Sequence, residues 1–101
     1  MKYYIIGDED AVLGFGMVGV QGSVARNREE AEEAFGEVLK NREMGIIIIT
    51  ERVAELIRDK VDRYVFTERF PLIVEIPDRL GPVEGRPGLR KLVNRAIGIK
   101  I

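Results

Sequence analysis

The sequence of 101 residues contains no cysteine, no histidine and no tryptophan, and its only aliphatic hydroxyl side chains are those of Ser23, Thr50 and Thr67. Without cysteine and histidine the chain has no thiolate nucleophile, no imidazole base and no Cys/His zinc site. A Ser-His-Asp triad is excluded for the same reason. The composition therefore favours a binding or assembly protein over an enzyme.

Long apolar runs are also missing, since none approaches the ~18–20 residues that a membrane-spanning helix needs. The chain passes from Met1 and Lys2 through a short apolar run to Asp8, which is too short and too soon acidic for a signal peptide. We therefore expect a cytoplasmic protein with no direct membrane insertion. The length and the 46% of apolar residues fit one compact domain.

Charge is distributed unevenly along the chain, although the net charge is only −1. Residues 1–78 carry 10 basic and 16 acidic side chains, whereas residues 79–101 carry 6 basic side chains and 1 acidic one. A basic tail on an acidic body predicts that the tail meets an acidic surface, which belongs to another protein, to nucleic acid or to the body itself.

Apolar runs bounded by glycine, proline and capping residues predict strands that alternate with helices. The run of four isoleucines before Thr50 indicates a strand that is covered on both faces, as in a parallel sheet. Asp8 or Asp10, Asn27 and Thr50 are the predicted helix caps. The predicted strands are residues 1–8, 22–25, 45–50 and 72–76, and the predicted helices are residues 9–18, 27–40 and 51–64.

The second and third of these helices each have a single apolar stripe at helical spacing. Strands that alternate with such helices predict right-handed crossovers with helices on both faces of the sheet. The expected fold class is therefore α/β, a small Rossmann-like or flavodoxin-like layer sandwich with a four-stranded parallel sheet. The two stripes are Ala31, Ala34, Phe35, Val38 and Leu39, and Val53, Ala54, Ile57, Val61 and Tyr64.

Residues 77–88 contain three prolines and three glycines, which indicates a linker between the α/β domain of residues 1–76 and a helical segment of residues 89–101. The apolar stripe of that segment is Leu89, Leu92, Val93, Ala96 and Ile97, within a helix predicted over residues 88–97. The helix either docks back on the sheet or binds another protein as a helix in a groove. Nucleic acid is not an expected partner, because no aromatic platform accompanies the basic residues. The predicted partner-binding residues are Leu89, Arg90, Lys91, Leu92, Val93, Arg95 and Ile97.

The sequence from Gly14 to Gly19 matches the pattern G-x-G-x-x-G of dinucleotide-binding proteins. In that motif the first glycine ends the strand, whereas here the predicted strand ends at Gly7. The acidic residue that would bind a ribose at the end of the second strand is also missing. We therefore expect no cofactor, and we interpret Gly14 and Gly16 as small residues that let a helix pack closely on the sheet, with Gly19 at its end.

Asp8, Glu9 and Asp10 follow the first strand, at the edge where sites form in doubly wound sheets. Two acids at this place are similar to the Mg²⁺-binding pair of response-regulator receivers. A receiver also needs an acceptor Asp after the third strand, where this chain has Thr50 and Glu51, and a Lys after a fifth strand. Helix capping is the simpler interpretation, so no metal site is assigned.

Five strings in order along the chain resemble the F subunit of the V-type and A-type ATP synthases and ATPases. The resemblance covers nearly the whole chain, and the length agrees. Gly16 departs from the pattern, because members of the family often carry a long basic or polar residue after Gly-Phe. The strings are Ile6-Gly7-Asp8-x-Asp10, Gly14-Phe15 with Gly19, the strand of residues 46–50, Ile73-Val74-Glu75-Ile76-Pro77, and Arg95-Ala96-Ile97-Gly98.

The resemblance implies a non-catalytic subunit of the central stalk, the rotor of the complex. It implies binding to the coiled-coil D subunit beneath the catalytic head of A and B subunits, where ATP is bound. It also implies rotary coupling of ATP synthesis or hydrolysis to proton or sodium ion transport, and a cytoplasmic location peripheral to the membrane. A C-terminal segment that can extend toward the head is a further implication.

Two other functions remain open from the residues alone. A degenerate receiver-like signalling or binding module would explain the acid pair and the fold, but not the linker and tail. Nucleotide-dependent chemistry at the edge of the sheet is the third possibility, and it lacks both a complete glycine motif and a base.

Overall fold

The structure, a computed structural model, describes residues 2–68, 71–78 and 80–81. Strands and helices alternate along them as the sequence predicts, with one exception in the third helix. The elements are β1 (Lys2–Gly7), α1 (Glu9–Gly16), β2 (Gln21–Val24), α2 (Arg28–Leu39), β3 (Met44–Thr50), α3 (Glu51–Leu56), α4 (Arg58–Thr67) and β4 (Leu72–Ile76).

The four strands form one parallel sheet in the order β2-β1-β3-β4. In the register, Ile5 of β1 lies between Gly22 of β2 and Ile48 of β3, and Ile48 is paired on its other side with Val74 of β4. The predicted fold class, an α/β layer sandwich with a four-stranded parallel sheet, is confirmed.

Side chains alternate between the two faces of a strand, and the two faces of this sheet are covered differently. Ile47 and Ile49 point toward α2, α3 and α4 and are fully buried in the main core. Phe35 and Tyr64 meet edge to face above this core, with ring centroids 5.8 Å apart. The core comprises Ile6, Ala25, Ala31, Phe35, Val38, Met44, Ile47, Ile49, Val53, Ala54, Ile57 and Val61.

Three side-chain caps start helices at the predicted residues. Asp8 accepts a hydrogen bond from the backbone N–H of Ala11 (3.0 Å), and Thr50 accepts one from Val53 (3.4 Å). Asn27 accepts one from the N–H of Glu30 at 2.8 Å. Each cap satisfies a donor that the first turn of a helix leaves without a partner, which fixes where the helix begins.

The prediction of a single helix over residues 51–64 is wrong, because the helix is interrupted at Ile57 and divides into α3 and α4. Ile57 has φ −130° and ψ 36°, outside the helical region, and its N–H donates to the carbonyl of Ala54 at 3.1 Å. Its side chain is nevertheless buried in the core, as are those of Val53 and Val61 on either side of the break. The break preserves the apolar stripe, so periodicity alone does not reveal it.

The predicted C-terminal helical segment, residues 89–101, lies outside the described residues, as does most of the predicted linker. What is described after β4 is a tight turn with an antiparallel bridge between Asp78 and Gly81, which has φ +88°. The carboxylate of Asp78, whose side chain is 4% exposed, accepts a hydrogen bond from Nε of Arg52 on Oδ1 at 3.2 Å, and its Oδ2 lies 2.9 Å from the same nitrogen. This ion pair fixes the exit of β4 to α3.

Candidate functional site

The carboxyl ends of β1 and β2 enclose a shallow cleft of about 300 Å³ that is lined by Asp8, Glu9, Asp10 and Arg26. Asp8 is committed to capping α1, as the sequence predicts. Glu9 forms an ion pair with Arg26, and the hydrogen bond that Glu9 accepts raises the pKa of the Arg26 guanidinium above its usual value. In the described part of the chain, no group of three or more His, Cys, Asp or Glu side chains is arranged to hold a metal ion.

The position that corresponds to the acceptor aspartate of a receiver belongs to Thr50, which is fully buried. Its hydroxyl caps α3, and its methyl carbon lies 2.7 Å from where a β-carbon on Gly7 would stand. The side chain at this position is therefore not a carboxylate, and it is not accessible to solvent.

The glycines of the G-x-G-x-x-G match do not lie at a phosphate-binding turn. Gly14 and Gly16 lie in the second half of α1, whereas the motif requires its first glycine before the helix. The interpretation that they allow close packing on the sheet is also wrong, because a β-carbon at either position would have no neighbour within 4 Å. Gly19, with φ +89°, forms the turn into β2, as a residue without a β-carbon can do freely.

Close backbone approach occurs instead at Gly7 and Gly22. A β-carbon on Gly7 would lie 2.7 Å from Cγ2 of Thr50, and one on Gly22 would lie 2.3 Å from Cγ2 of Ile5. Neither position stands out in the sequence, because the contacts depend on the register between neighbouring strands.

Ion pairs join the helices to each other and to the edge strand. The guanidinium of Arg58, at the start of α4, binds both carboxylate oxygens of Glu75 on β4 at 2.7 and 2.8 Å. This hydrogen bonding, together with contacts to Asp62 and Glu55, raises the pKa of Arg58. Arg28 of α2 contacts Asp59 of α4 at 3.1 Å, which lowers the pKa of that carboxyl group.

The glutamate-rich stretch of residues 29–37 forms a largely solvated face of α2. Glu29 and Glu33 are exposed. Glu30 accepts a hydrogen bond from the N–H of Arg26 at 2.8 Å, one residue before the cap at Asn27.

One half of the sheet face opposite α2, α3 and α4 is apolar and only partly covered. A β-carbon added to Gly7 would lie 3.2 Å from the β-carbon of Ala11, so α1 lies on this face of the sheet. There α1 contacts β1 and β2. The side chains that β3, β4 and the start of β1 place on this face lie beyond α1. We call these residues the open half-face: Tyr3, Ile46, Ile48, Leu72 and Val74.

Exposure distinguishes the open half-face from the buried face of the same strands. Tyr3 is 49% and Leu72 is 52% exposed, and Ile46 and Ile48 are partly buried, whereas Ile47 between them is fully buried. Among the described residues, the isoleucine run is therefore fully covered on the face of Ile47 and Ile49 and partly covered on the face of Ile46 and Ile48. Sequence reasoning missed this surface because a continuous apolar run does not tell which face lacks a helix.

A second exposed apolar surface lies on and after α1. Leu13 is 68%, Met17 is 81% and Val18 is 76% exposed, without any charged side chain between them along the chain. Phe66, near the end of α4, is 90% exposed. Exposed apolar groups of this size are typical of protein interaction surfaces when they are contiguous.

The predicted partner-binding residues all lie outside the described part of the chain: Leu89, Arg90, Lys91, Leu92, Val93, Arg95 and Ile97. They stay predictions. No helix among the described residues combines the length and the apolar character that crossing a membrane would require.

Comparison with known proteins connects this chain to one family. The family model described as ATP synthase (F/14-kDa) subunit matches residues 4–93. The F subunit of the A-type ATP synthase of Pyrococcus furiosus is 36% identical, over 100% of this chain and 98% of the relative. The F subunit of the A-type ATP synthase of Methanocaldococcus jannaschii is also 36% identical, over 100% of this chain and 99% of the relative.

A solved structure supports the fold. The crystal structure of the V-type ATP synthase F subunit from Archaeoglobus fulgidus superposes with a TM-score of 0.59 at 24% identity. The superposition covers 74% of this chain and 95% of that one. At this level of identity the likeness concerns the fold alone.

Proposed function

The chain belongs to the ATP synthase (F/14-kDa) subunit family, and on that premise we propose that it is a non-catalytic subunit of the central stalk of an A-type or V-type ATP synthase. In this role it rotates with the shaft beneath the catalytic head and contributes to coupling ATP synthesis or hydrolysis to proton or sodium ion transport. Its location is then cytoplasmic and peripheral to the membrane, within the soluble sector of the complex.

The observation that carries the proposal is the family match over residues 4–93 in a chain with almost no catalytic chemistry. Cysteine and histidine are absent, and the acidic residues Asp8 and Glu9 at the carboxyl edge serve as a helix cap and in an ion pair. Such an inventory suits a part that transmits force, and ATP would be bound by the A and B subunits of the head.

A rotor part has to resist deformation while it transmits torque. The described body has features that favour stiffness: a close-packed core of isoleucine, valine and phenylalanine, and ion pairs that tie α2 to α4 and α4 to β4. The bidentate pair between Arg58 and Glu75 restrains the edge strand, which is held by hydrogen bonds on one side only among the described residues.

The proposed partner is the coiled-coil D subunit, bound in part through the C-terminal helix. The apolar residues Leu89, Leu92, Val93 and Ile97 would fill a groove on the shaft. Arg90, Lys91 and Arg95 would lie at the rim, where charges contribute more to orientation and encounter than to affinity.

Affinity capture of the tagged chain from native lysate tests the stalk assignment. We expect recovery of a coiled-coil partner together with the two large ATPase subunits, in stoichiometric amounts. A tagged chain that captures neither the coiled-coil protein nor the large subunits would contradict the assignment.

Truncation after Pro87 tests the contribution of the C-terminal segment. The truncated chain should bind the purified D subunit much more weakly than the full chain does, because the apolar stripe is lost. Circular dichroism of the truncated chain serves as the control for folding of the body. Equal affinity of the two chains would show that the shaft contact lies elsewhere.

A further inference from the structure

Exposed apolar side chains are concentrated at one end of the part of the molecule that the structure describes. The four strands are parallel, so their first residues lie together at the amino end of the sheet. The helices return the chain to this end, so α1 and α4 finish there. Six of the eight large apolar side chains that are exposed among the described residues belong to it, and we call them the apolar end: Tyr3, Met17, Val18, Val65, Phe66 and Leu72.

The apolar end is large enough to form an interface. Its six side chains together expose the surface of about four whole side chains, on the order of 600–800 Å². The largest apolar patch of a typical monomer covers about 300–600 Å², and a stable interface buries about 800 Å² on each partner. The apolar end is therefore larger than a monomer needs to expose, and it approaches the area that a stable dimer buries.

A cleft of about 340 Å³ lies at the same end, beside Tyr3 and the turn after α1. It is lined by Lys2, Tyr3, Gly19, Val20, Gln21 and Met44. Phe66, in the last turn of α4, is 90% exposed, and an aromatic side chain in a pocket is a common anchor of protein interfaces. Because one end of the chain has both the aromatic side chain and the cleft, two copies related by a two-fold axis can each provide both.

Charge permits two amino ends to meet. Lys2 pairs with Glu43 at 2.8 Å and Lys40 pairs with Glu37 at 3.4 Å, within the same chain. The segments at this end carry 3 basic and 3 acidic side chains, in residues 2–3, 15–21, 37–45, 64–68 and 71–72. The opposite end carries 3 basic and 7 acidic side chains, in residues 8–10, 26–30, 51–52 and 78. Two copies would therefore repel each other through their carboxyl ends but not through their amino ends.

We propose that the isolated chain forms a two-fold symmetric dimer through its apolar end, in which Phe66 of each copy occupies the cleft beside Tyr3 of the other. Met17, Val18 and Leu72 surround this contact and exclude water from it. Both clefts are filled at once, so the assembly closes at two copies and does not grow into a filament. The inference goes beyond the proposed stalk role and does not depend on it, because it concerns the chain without other subunits.

Sedimentation velocity of the full chain over a series of concentrations tests the dimer. We expect a reversible equilibrium between monomer and dimer, and Phe66→Glu should raise its dissociation constant more than about tenfold, because it buries a charge at the centre of the contact. Leu80→Glu is the matched control, since Leu80 is a 63% exposed apolar residue in the turn after β4, at the opposite end. It should leave the dissociation constant unchanged.

A spin label identifies the surface that forms the contact. The chain has no cysteine, so Thr67→Cys gives a single site for a nitroxide next to Phe66. In a mixture with unlabelled, nitrogen-15 enriched chains, this label should broaden the amide signals of Tyr3, Gly19 and Val20 in the other copy. The same label at Leu80→Cys should leave these signals sharp.

Three results would overturn the proposal. A chain that stays monomeric at the highest concentration would show that the apolar end is not used by a second copy. A dimer that Leu80→Glu weakens and Phe66→Glu leaves intact would place the contact at the other end. A dimer without broadening from the label at position 67 would exclude the arrangement around Phe66. None of these results bears on capture of the ATPase subunits, so failure of the dimer and failure of the stalk assignment are distinguishable.

Discussion

At the scale of single residues, the stability of the body depends on where arginine side chains meet carboxylates. Arg28 of α2 reaches across to Asp59 in the first turn of α4 and also donates to the carbonyl of Leu56 at 3.1 Å. It therefore binds on both sides of the break at Ile57, and replaces some of the hydrogen bonding that a continuous helix would have supplied.

The ion pair of Arg28 and Asp59 predicts a pH dependence of stability. The hydrogen bond from Arg28 lowers the pKa of Asp59 below its ordinary value of 3.8. Because the folded-state pKa is lower than the unfolded one, the stabilisation is complete above the ordinary value and is lost as pH falls through the folded-state value. Asp59→Asn should therefore lower the free energy of unfolding at neutral pH, and its difference from the wild type should shrink in acid.

Urea unfolding at a series of pH values measures this difference. Glu33→Gln is the matched control, since it removes one negative charge from an exposed position of α2. A deficit of Asp59→Asn that stays constant from neutral pH down to acid would show that the carboxylate charge is not the cause.

At the scale of elements, two glycines differ in the space that surrounds them. Gly36 lies in the exposed face of α2, and a β-carbon there would have no neighbour within 4 Å. Gly7 ends β1, and a β-carbon there would lie 2.7 Å from Cγ2 of Thr50, a fully buried residue that also caps α3. Thr50 cannot move away without weakening its cap.

The two alanine variants should therefore change stability in opposite directions. Gly36→Ala should raise the free energy of unfolding by about 0.5–1 kcal/mol, because alanine loses less backbone entropy in a helix. Gly7→Ala should lower it by about 1–3 kcal/mol, because the added methyl group overpacks the contact between β1 and β3. Urea denaturation of both variants provides the measurement, and a stabilising effect of Gly7→Ala would disprove the close contact.

Most elements could be predicted because their signals are local. A cap such as Asn27 and an apolar stripe such as that of α2 depend on residues within one or two turns, and both were confirmed. The break at Ile57 could not be predicted, since the stripe keeps its phase across it. The free space around Gly14 could not be predicted either, because it depends on how α1 is positioned over β1 and β2.

At the scale of the whole molecule, the order of the strands determines which surfaces are left uncovered. The sequence indicates parallel strands and crossovers, but the observed order β2-β1-β3-β4 places α2, α3 and α4 together on one face and α1 alone on the other. The open half-face follows from this asymmetry. It could not be predicted from the isoleucine run, because burial of a strand face is decided by elements that are distant in the sequence.

The charge asymmetry between body and tail predicts that the basic residues and the apolar stripe affect different rate constants for binding to the stalk partner. Basic residues beside the apolar stripe should accelerate encounter with an acidic shaft, whereas the stripe itself should set the lifetime of the complex. The triple variant of Arg90, Lys91 and Arg95 to Gln should slow association with the D subunit by about tenfold at low salt, with little change in dissociation. Leu89→Ala with Leu92→Ala should mainly speed dissociation, because it removes buried apolar contacts.

Surface plasmon resonance over a range of salt concentrations separates these effects. The control triple of Lys40, Arg42 and Arg63 to Gln removes the same charge from the body and should leave association nearly unchanged. Salt should also slow association of the wild type strongly and that of the Arg90, Lys91 and Arg95 variant only weakly, because the screened attraction is already lost in the variant. Equal slowing by both triples would assign the effect to net charge, and a faster dissociation of the tail triple would place its basic residues inside the contact and not at its rim.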